Sequence, residues 1–257
     1  MKYYKLSILI IMIIASQIPV LSQGFDWQYS ARLPFDAPHY YIGISARYGL
    51  NWTTGNISFL ENKLRCPDFY DATGNGFNIG IATQYWLDDS RYALHANLYY
   101  SNHSLNASII DRVPLTSTLT AEYETNLNLS FSQLNLLIGG KYRIPSTHLN
   151  IGADIGIAYN INRTFDVTET ILGPIEVPPF QTNPPSYSRD VINGELNQMH
   201  ALYINPNINI SYDIPLGIGT YIEPMLSLNI PLYSIMNGDN VHNYSIQFAI
   251  NILRGIK

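Results

Sequence analysis

Apolar and polar residues alternate along most of this chain. The alternation is clearest on the two arms that flank the turn Pro145-Ser146-Thr147. On the second arm, apolar residues occupy every odd position from Leu149 to Ile161, and the residues between them are polar or small. A period of two is typical of a β-strand whose two faces meet different surroundings. The pattern therefore predicts a long β-hairpin over residues 132–161.

The same alternation predicts six further strands, over residues 39–53, 77–87, 91–101, 199–214, 218–230 and 243–254. The segments 102–130 and 162–197 are predicted to be long loops, the first extending its neighbouring strands. Within it, apolar residues such as Leu127 and Leu129 have odd numbers, whereas those of the next arm, such as Leu134, have even numbers. We expect a β-bulge near Ser130–Ser132, or a strand break, to reset the phase. An extra hairpin is the alternative.

The connections between these strands alternate between long and short, as in outer-membrane barrels. Charged residues make up only 13% of the chain, against about 25% in soluble domains, and there are 20 tyrosines. Bulky apolar residues share one face of each strand, and Asn, Gly and Ser share the other. We therefore predict an all-β protein, an eight-stranded antiparallel up-and-down transmembrane β-barrel, with ten strands as the alternative. A lipocalin-like soluble barrel would place the apolar face inside instead.

The first 22 residues have the pattern of a secretory signal peptide, with Lys2 and Lys5 before an apolar run and Ser22 at its end. The run is too short for a spanning helix, which needs roughly 20 residues. We assign residues 1–22 to a cleaved signal peptide, 23–38 to a periplasmic lead-in and 39–257 to the barrel.

Acidic residues outnumber basic ones by 19 to 14, which argues against nucleic-acid binding. Cys66 is the only cysteine, so no intrachain disulfide can form.

Two groups of residues are candidate functional positions. The first is a polar network on the lumen face, where unpaired charges would be costly; a structural role is the favoured interpretation, and a gated path for ions or small solutes is the alternative. It comprises Arg47, His95, Lys141, Arg143, Asp154, Asp213 and Glu223. The second is a pair of aromatic girdles at the two ends of the strands. They comprise Trp52, Tyr85, Tyr92, Tyr100, Tyr142, Tyr159, Tyr212 and Tyr244.

Catalytic and metal-binding patterns are weak. His103 and Ser104 are adjacent, but neighbouring residues of a strand point to opposite faces, which is poor geometry for a proton relay. Asp68, Asp71 and Asn75 lack the spacing of an EF-hand loop. No zinc, phosphate-cradling or dinucleotide motif is present. We therefore expect no cofactor, no bound metal and no enzymatic activity.

The segments Cys66-Pro67-Asp68-Phe69 and Gly74-Asn75-Gly76-Phe77, together with the signal and strand pattern, carry a family resemblance. The chain resembles the outer-membrane β-barrel domain proteins of the Bacteroidetes and Chlorobi lineages, a small barrel of the OmpA/OmpX-like kind. We expect it in the outer membrane of a Gram-negative bacterium, in contact with membrane lipid and lipopolysaccharide. Extracellular ligands and periplasmic proteins are further candidate partners. The expected role is structural or surface interaction; the alternatives are a narrow channel or transport and secretion accessory, and a lipid-modifying enzyme.

Overall fold

The computed structural model describes residues 38–57, 69–87, 91–116, 119–174, 177–217, 219–238 and 240–256. The predicted signal peptide, all of the lead-in except Pro38, Cys66, Asp68 and the turn at residues 88–90 lie outside these ranges. Within them, no helix is long and apolar enough to cross a membrane.

Twelve strands form in the described ranges. They are β1 Tyr40–Thr54, β2 Asn56–Ile57, β3 Phe69–Tyr70, β4 Thr73–Trp86, β5 Tyr92–Pro114, β6 Thr120–Arg143, β7 Leu149–Gly173, β8 Ser188–Glu195, β9 Leu202–Tyr212, β10 Ile214–Gly217, β11 Thr220–Asn229 and β12 His242–Ile256.

Eight of these strands close a ring in which every pairing is antiparallel. The order is β1, β4, β5, β6, β7, β9, β11 and β12, and β12 pairs again with β1. Closure leaves no strand edge in the ring, which a bilayer demands because lipid cannot hydrogen-bond to a free edge. The predicted eight-stranded up-and-down barrel is confirmed. Strand β10 pairs with β11, strand β8 adds to the far part of β7, and β2 and β3 form a small separate hairpin.

Strands β5, β6 and β7 are much longer than predicted, at 23, 24 and 25 residues. Residues 102–114 continue β5 and residues 120–130 continue β6, and Leu115 N donates to Leu119 O where the two strands meet, so most of the predicted loop is a tall hairpin. The loop predicted over 162–197 is also partly wrong, because β7 continues to Gly173 and β8 pairs with its end. These segments hold strand structure because their inward side chains pack into an apolar core.

The apolar residues of β6 change from even to odd positions along the strand, but the inward-facing positions stay the same. Odd-numbered residues of β6 point inward along its whole length, from Ala121 to Arg143. From Gln133 towards the short turn most inward residues are polar, such as Asn135 and Lys141, and Leu137 is the apolar one. From Phe131 towards the tip of the hairpin most are apolar, such as Leu127 and Leu129. The two faces thus exchange their chemistry within one continuous strand.

A bulge does occur at the predicted height, but on the neighbouring strand. Ser132 pairs with Asn162 and Gln133 pairs with Asn160, which leaves Ile161 as the extra residue of β7. The prediction of a bulge within β6 was therefore wrong. The extra residue lets β7 keep apolar residues at odd positions while reversing the face on which they lie: Ile161 points outward and Phe165 and Val167 point inward.

The outer surface of the ring is a continuous apolar zone, here called the lipid belt. Ile44, Ile79 and Phe248 on three strands are 63%, 56% and 51% exposed. Monomeric soluble proteins do not expose apolar area on this scale, because water makes it costly. The barrel therefore spans a membrane, and the alternative of a soluble barrel with an apolar interior does not describe the ring.

Introducing a charge at the middle of the lipid belt tests this assignment. We expect Ile81→Arg to lower the free energy of unfolding in lipid vesicles by about 2–4 kcal/mol, the cost of Arg at the bilayer midplane. Thr168→Arg, on the part of β7 beyond the belt, is the matched control and should change it by less than about 0.5 kcal/mol. Equal effects measured by urea unfolding would contradict the position of the belt.

Candidate functional site

The seven charged residues predicted for the lumen all point into the barrel. Each is at most 5% exposed. Three carboxylates face two arginines, one lysine and one histidine, so acidic and basic side chains are present in similar numbers. The strand period places them inward: for example, Arg47 lies between the outward residues Ala46 and Tyr48.

Glu223 is the centre of the largest cluster. Its carboxylate forms an ion pair with Lys141 and accepts hydrogen bonds from Gln84 Nε2 at 2.6 Å, Ser211 Oγ at 2.6 Å and Asn251 Nδ2 at 3.0 Å. These partners come from strands β6, β4, β9 and β12, so the cluster ties together strands around most of the ring. With four donors the carboxylate recovers much of the hydration that it loses on burial.

Arg143 forms a second cluster nearer the short turns. One terminal nitrogen lies 2.5 Å from Asp213 Oδ2, and Nε donates to Asn150 Oδ1 at 3.3 Å. The guanidinium also stacks over the ring of Trp86, with its carbon 3.9 Å from the ring centroid. A planar cation suits this position because it can pair in its plane and stack on its face.

A third cluster lies between the other two and the long connections. His95 Nε2 contacts Asp154 Oδ1, and Asn209 donates to Asp154 Oδ2 at 2.9 Å. Arg47 lies over the ring of Tyr99, 4.8 Å from its centroid. The structure thus places all seven predicted lumen residues in one interior and sorts them into three groups at different heights.

Uncharged side chains fill the next layer. Asn135 donates to Ser101 Oγ at 2.6 Å, and Gln133 donates to Asn160 Oδ1 at 2.8 Å and to the hydroxyl of Tyr203. A cavity of about 30 Å³ lies among these residues. A water molecule needs about 10–15 Å³ of such space, so the cavity has room for two or three water molecules. It is a gap in a filled interior.

Apolar residues close both ends of the polar interior. At the end with short turns lies the short-turn core, made of Tyr41, Ala82, Trp86, Ala93, Tyr221 and Leu253. At the other end lies the long-loop core, made of Ile57, Phe69, Ala72, Leu105, Ala107, Leu127, Leu129, Phe131, Phe165, Val167, Leu196, Met199, Ile235, Met236 and Val241. The sequence reasoning missed this second core. Its signal is the odd-numbered apolar run around Leu127, which the sequence alone assigns to a long loop.

The eight residues predicted for the aromatic girdles lie on the outward side of their strands, at the two ends of the lipid belt. Near the short turns, the rings of Tyr92 and Tyr142 are 5.2 Å apart. Near the long connections, Trp52 stacks on Tyr244 with their centroids 5.8 Å apart.

The weak chemical motifs do not assemble into a site. His103 points inward, where its Nδ1 lies 3.2 Å from Asn51 Nδ2 and its ring stacks on Phe131, whereas Ser104 points outward. Among the described residues no group of three His, Cys, Asp or Glu side chains could hold a metal ion. The candidate calcium ligand Asp68 lies outside those residues.

No protein-family model matches the chain, and no curated protein matches it in sequence. Among solved structures it is similar to Ail of Yersinia pestis in complex with the heparin analogue sucrose octasulfate, at 7% identity and a TM-score of 0.33, over 84% of this chain and 99% of Ail. It is also similar to Neisserial surface protein A (NspA), at 8% identity and a TM-score of 0.35, over 86% of this chain and 100% of NspA. A third similar structure is the outer membrane protease OmpT of Escherichia coli, at 10% identity and a TM-score of 0.34, over 88% of this chain and 99% of OmpT.

The prediction that the chain has no enzymatic activity was wrong, and we withdraw it. The similar barrels include a protease, OmpT. At this identity and TM-score the likeness assigns no activity to the present chain.

Breaking the central ion pair tests whether the network stabilises the barrel. We expect Glu223→Gln to lower the free energy of unfolding by about 3–5 kcal/mol, because it leaves the Lys141 ammonium buried without a counter-charge. The double variant Glu223→Gln/Lys141→Met should lose less than the sum of the two single variants. Both are measured by urea unfolding in detergent micelles.

The exposed pair of Arg112 and Glu122, with Nε to Oε1 at 2.9 Å, supplies the matched control. Glu122→Gln should change the free energy of unfolding by less than about 1 kcal/mol. Additive effects of the Glu223 and Lys141 substitutions would show that the two side chains do not depend on each other.

Proposed function

We propose that this chain is an outer-membrane anchor that holds a rigid β-sheet at the cell surface for interaction with molecules there. One observation carries the proposal. Strands β5, β6 and β7 run without interruption from the lipid belt into a sheet that has its own apolar core. From Asn102 to Pro114, strand β5 extends about 40 Å at a rise of about 3.3 Å per residue. Such a sheet presents a fixed surface, where a flexible loop would have to be ordered on binding.

The dimensions of the lipid belt support the membrane part of the proposal. From Tyr92 to Tyr100 strand β5 rises about 20 Å across the membrane, given a rise of about 3.3 Å per residue and a tilt of about 40°. With the aromatic rings at both ends, this matches the apolar band of about 25 Å in outer-membrane barrels. We assign the eight girdle residues to the two membrane interfaces on this basis. The long connections then face the cell exterior, as is usual in such barrels.

The filled interior favours an anchor over a channel. Each carboxylate of the lumen contacts a basic side chain, Arg47 lies over the ring of Tyr99, and apolar cores lie above and below these clusters. An eight-stranded barrel has room for side chains but little more. The narrow channel and the transport accessory therefore rank below the anchor.

Export through a signal peptide at residues 1–22, and kinship with the barrel domain proteins of the Bacteroidetes and Chlorobi lineages, stay predictions. They agree with an outer-membrane location. We include membrane lipid, lipopolysaccharide and extracellular ligands as the proposed partners of the barrel and its sheet.

Cysteine labelling on intact cells tests the location and the orientation. In a Cys66→Ser background, Leu115→Cys at the tip of the β5–β6 hairpin should react with a membrane-impermeant maleimide, because Leu115 is 43% exposed at the proposed outer side. Pro145→Cys, in the short turn between β6 and β7, is the matched control and should react only after the outer membrane is permeabilised. The reverse pattern would invert the proposed orientation.

Planar bilayers test the closed interior. We expect the reconstituted barrel to give no regular conductance steps, because polar clusters and two apolar cores occupy its length. A bilayer that contains a known porin at the same protein concentration is the positive control. Reproducible unitary steps would favour the channel over the anchor.

A further inference from the structure

The outward face of the long hairpin has an unusual composition directly beyond the lipid belt. On β5 the outward residues there are Asn102, Ser104, Asn106 and Ser108. On β6 they are Asn126, Asn128, Ser130 and Ser132. All eight are exposed or half-buried, and all are uncharged and able to hydrogen-bond. We call this surface the Asn/Ser face.

The register of the two strands makes the Asn/Ser face one continuous array. Asn106 pairs with Asn128, Ser104 with Ser130 and Ser108 with Asn126. Paired side chains on one face lie about 4.5–5.5 Å apart at their Cβ atoms, so successive pairs form a grid of polar groups.

The stability of the strands does not explain this composition. Asn is disfavoured in β-strands, yet it fills half of the eight positions. Among the described residues, the side chains of Asn106, Asn126 and Asn128 have no hydrogen-bond partner. Natural sequences break a local preference mostly at functional positions, where the cost is offset elsewhere. Here the long-loop core on the opposite side of the same strands, including Leu105 and Leu127, holds the face in place.

The chemistry of the face selects the class of ligand. Each amide and each hydroxyl both donates and accepts hydrogen bonds, which matches the hydroxyl groups of a sugar. The eight positions contain no Lys or Arg, the residues that bind phosphate or sulfate most strongly. A neutral, hydroxyl-rich saccharide therefore fits the face better than an anionic group does.

The position of the Asn/Ser face indicates which molecule carries that saccharide. The last apolar outward residues below it are Tyr100 on β5 and Leu134 on β6, each two residues from the first residue of the face. The Asn/Ser face is therefore continuous with the lipid belt. Whatever lipid covers Tyr100 and Leu134 in the outer leaflet carries its headgroup at the height of Asn102 and Ser132.

We propose that the Asn/Ser face binds the neutral core and outer sugars of the lipopolysaccharide molecules that surround the barrel, beyond their anionic lipid A headgroups. The inference rests on the proposed outer-membrane location and orientation. It assigns the lower part of the extracellular sheet to the membrane's own glycolipid and leaves the tip of the hairpin for other partners.

The test compares lipopolysaccharide with lipid A, which lacks the core and outer saccharide. Each is titrated into the purified full-length barrel in detergent. The samples are heated and run on a gel, and the temperature at which the band of the folded barrel is replaced by the band of the unfolded chain is recorded. The variant Asn106→Val/Asn128→Val removes one facing pair of amides and keeps good strand formers. Gln181→Val/Asn197→Val is the matched control, because both of its amides are exposed but lie in the connection between β7 and β9. Retained heat-modifiability without ligand shows that each variant folds.

For the native barrel and the control we expect lipopolysaccharide to raise this temperature more than lipid A does. In the Asn106→Val/Asn128→Val variant the apparent dissociation constant for lipopolysaccharide should rise about tenfold, towards that for lipid A. An unchanged preference in the variant, or equal effects of the two lipids on the native barrel, would overturn the proposal. So would a soluble neutral oligosaccharide unrelated to lipopolysaccharide that stabilises the native barrel as well as lipopolysaccharide does.

Labelling of Leu115→Cys separates this proposal from the one on which it rests. Surface labelling without a lipopolysaccharide preference overturns only the saccharide assignment. Absence of surface labelling overturns the proposed orientation, and the saccharide assignment with it.

Discussion

A strand that passes from lipid into water must exchange the chemistry of its two faces, and the rest of this structure depends on that exchange. In the bilayer, apolar side chains are stable on the outside, and polar side chains must be satisfied inside. Beyond the bilayer water surrounds the sheet, so apolar side chains gain from burial and turn inward. Strand β6 makes the exchange by changing its residues at Phe131 and Gln133, whereas β7 makes it with an extra residue at Ile161. One connected barrel thus has a polar interior below this level and an apolar core above it.

The polar interior is held by side chains that reach across the ring. Buried ion pairs add little net stability because desolvation offsets their attraction, but an unpaired buried charge is very costly. The clusters around Glu223, Arg143 and Asp154 therefore act mainly as constraints on which strands can face one another. A shift of register by one residue would turn Lys141 towards the lipid and remove the partner of Glu223.

Small residues make room for these contacts. A Cβ atom added at Gly139 would lie 2.3 Å from Asp154 Oδ1, and one added at Gly152 would lie 2.6 Å from Asn209 Oδ1. Asp154 and Asn209 are hydrogen-bonded to each other, so a side chain at either glycine would displace part of the third cluster. The long-loop core closes the same barrel with apolar side chains, so the anchor and the extracellular sheet share one wall and form a continuous unit.

The sequence by itself determined the eight-stranded barrel and the residues that share each face of its strands. It could do so because these properties follow from local alternation: a period of two shows which residues share a face, and low charge with bulky apolar residues shows that one face meets lipid. The alternation of long and short connections added the order of the strands. The sequence did not show how Lys141, Gln84, Ser211 and Asn251 converge on Glu223, because those residues lie on four strands and meet only when the ring closes. Nor did it show that the extension of the neighbouring strands through residues 102–130 encloses an apolar core. Alternation records which residues share a face but not which side of the sheet that face occupies, and only packing in three dimensions decides whether an apolar face meets lipid outside or a core inside.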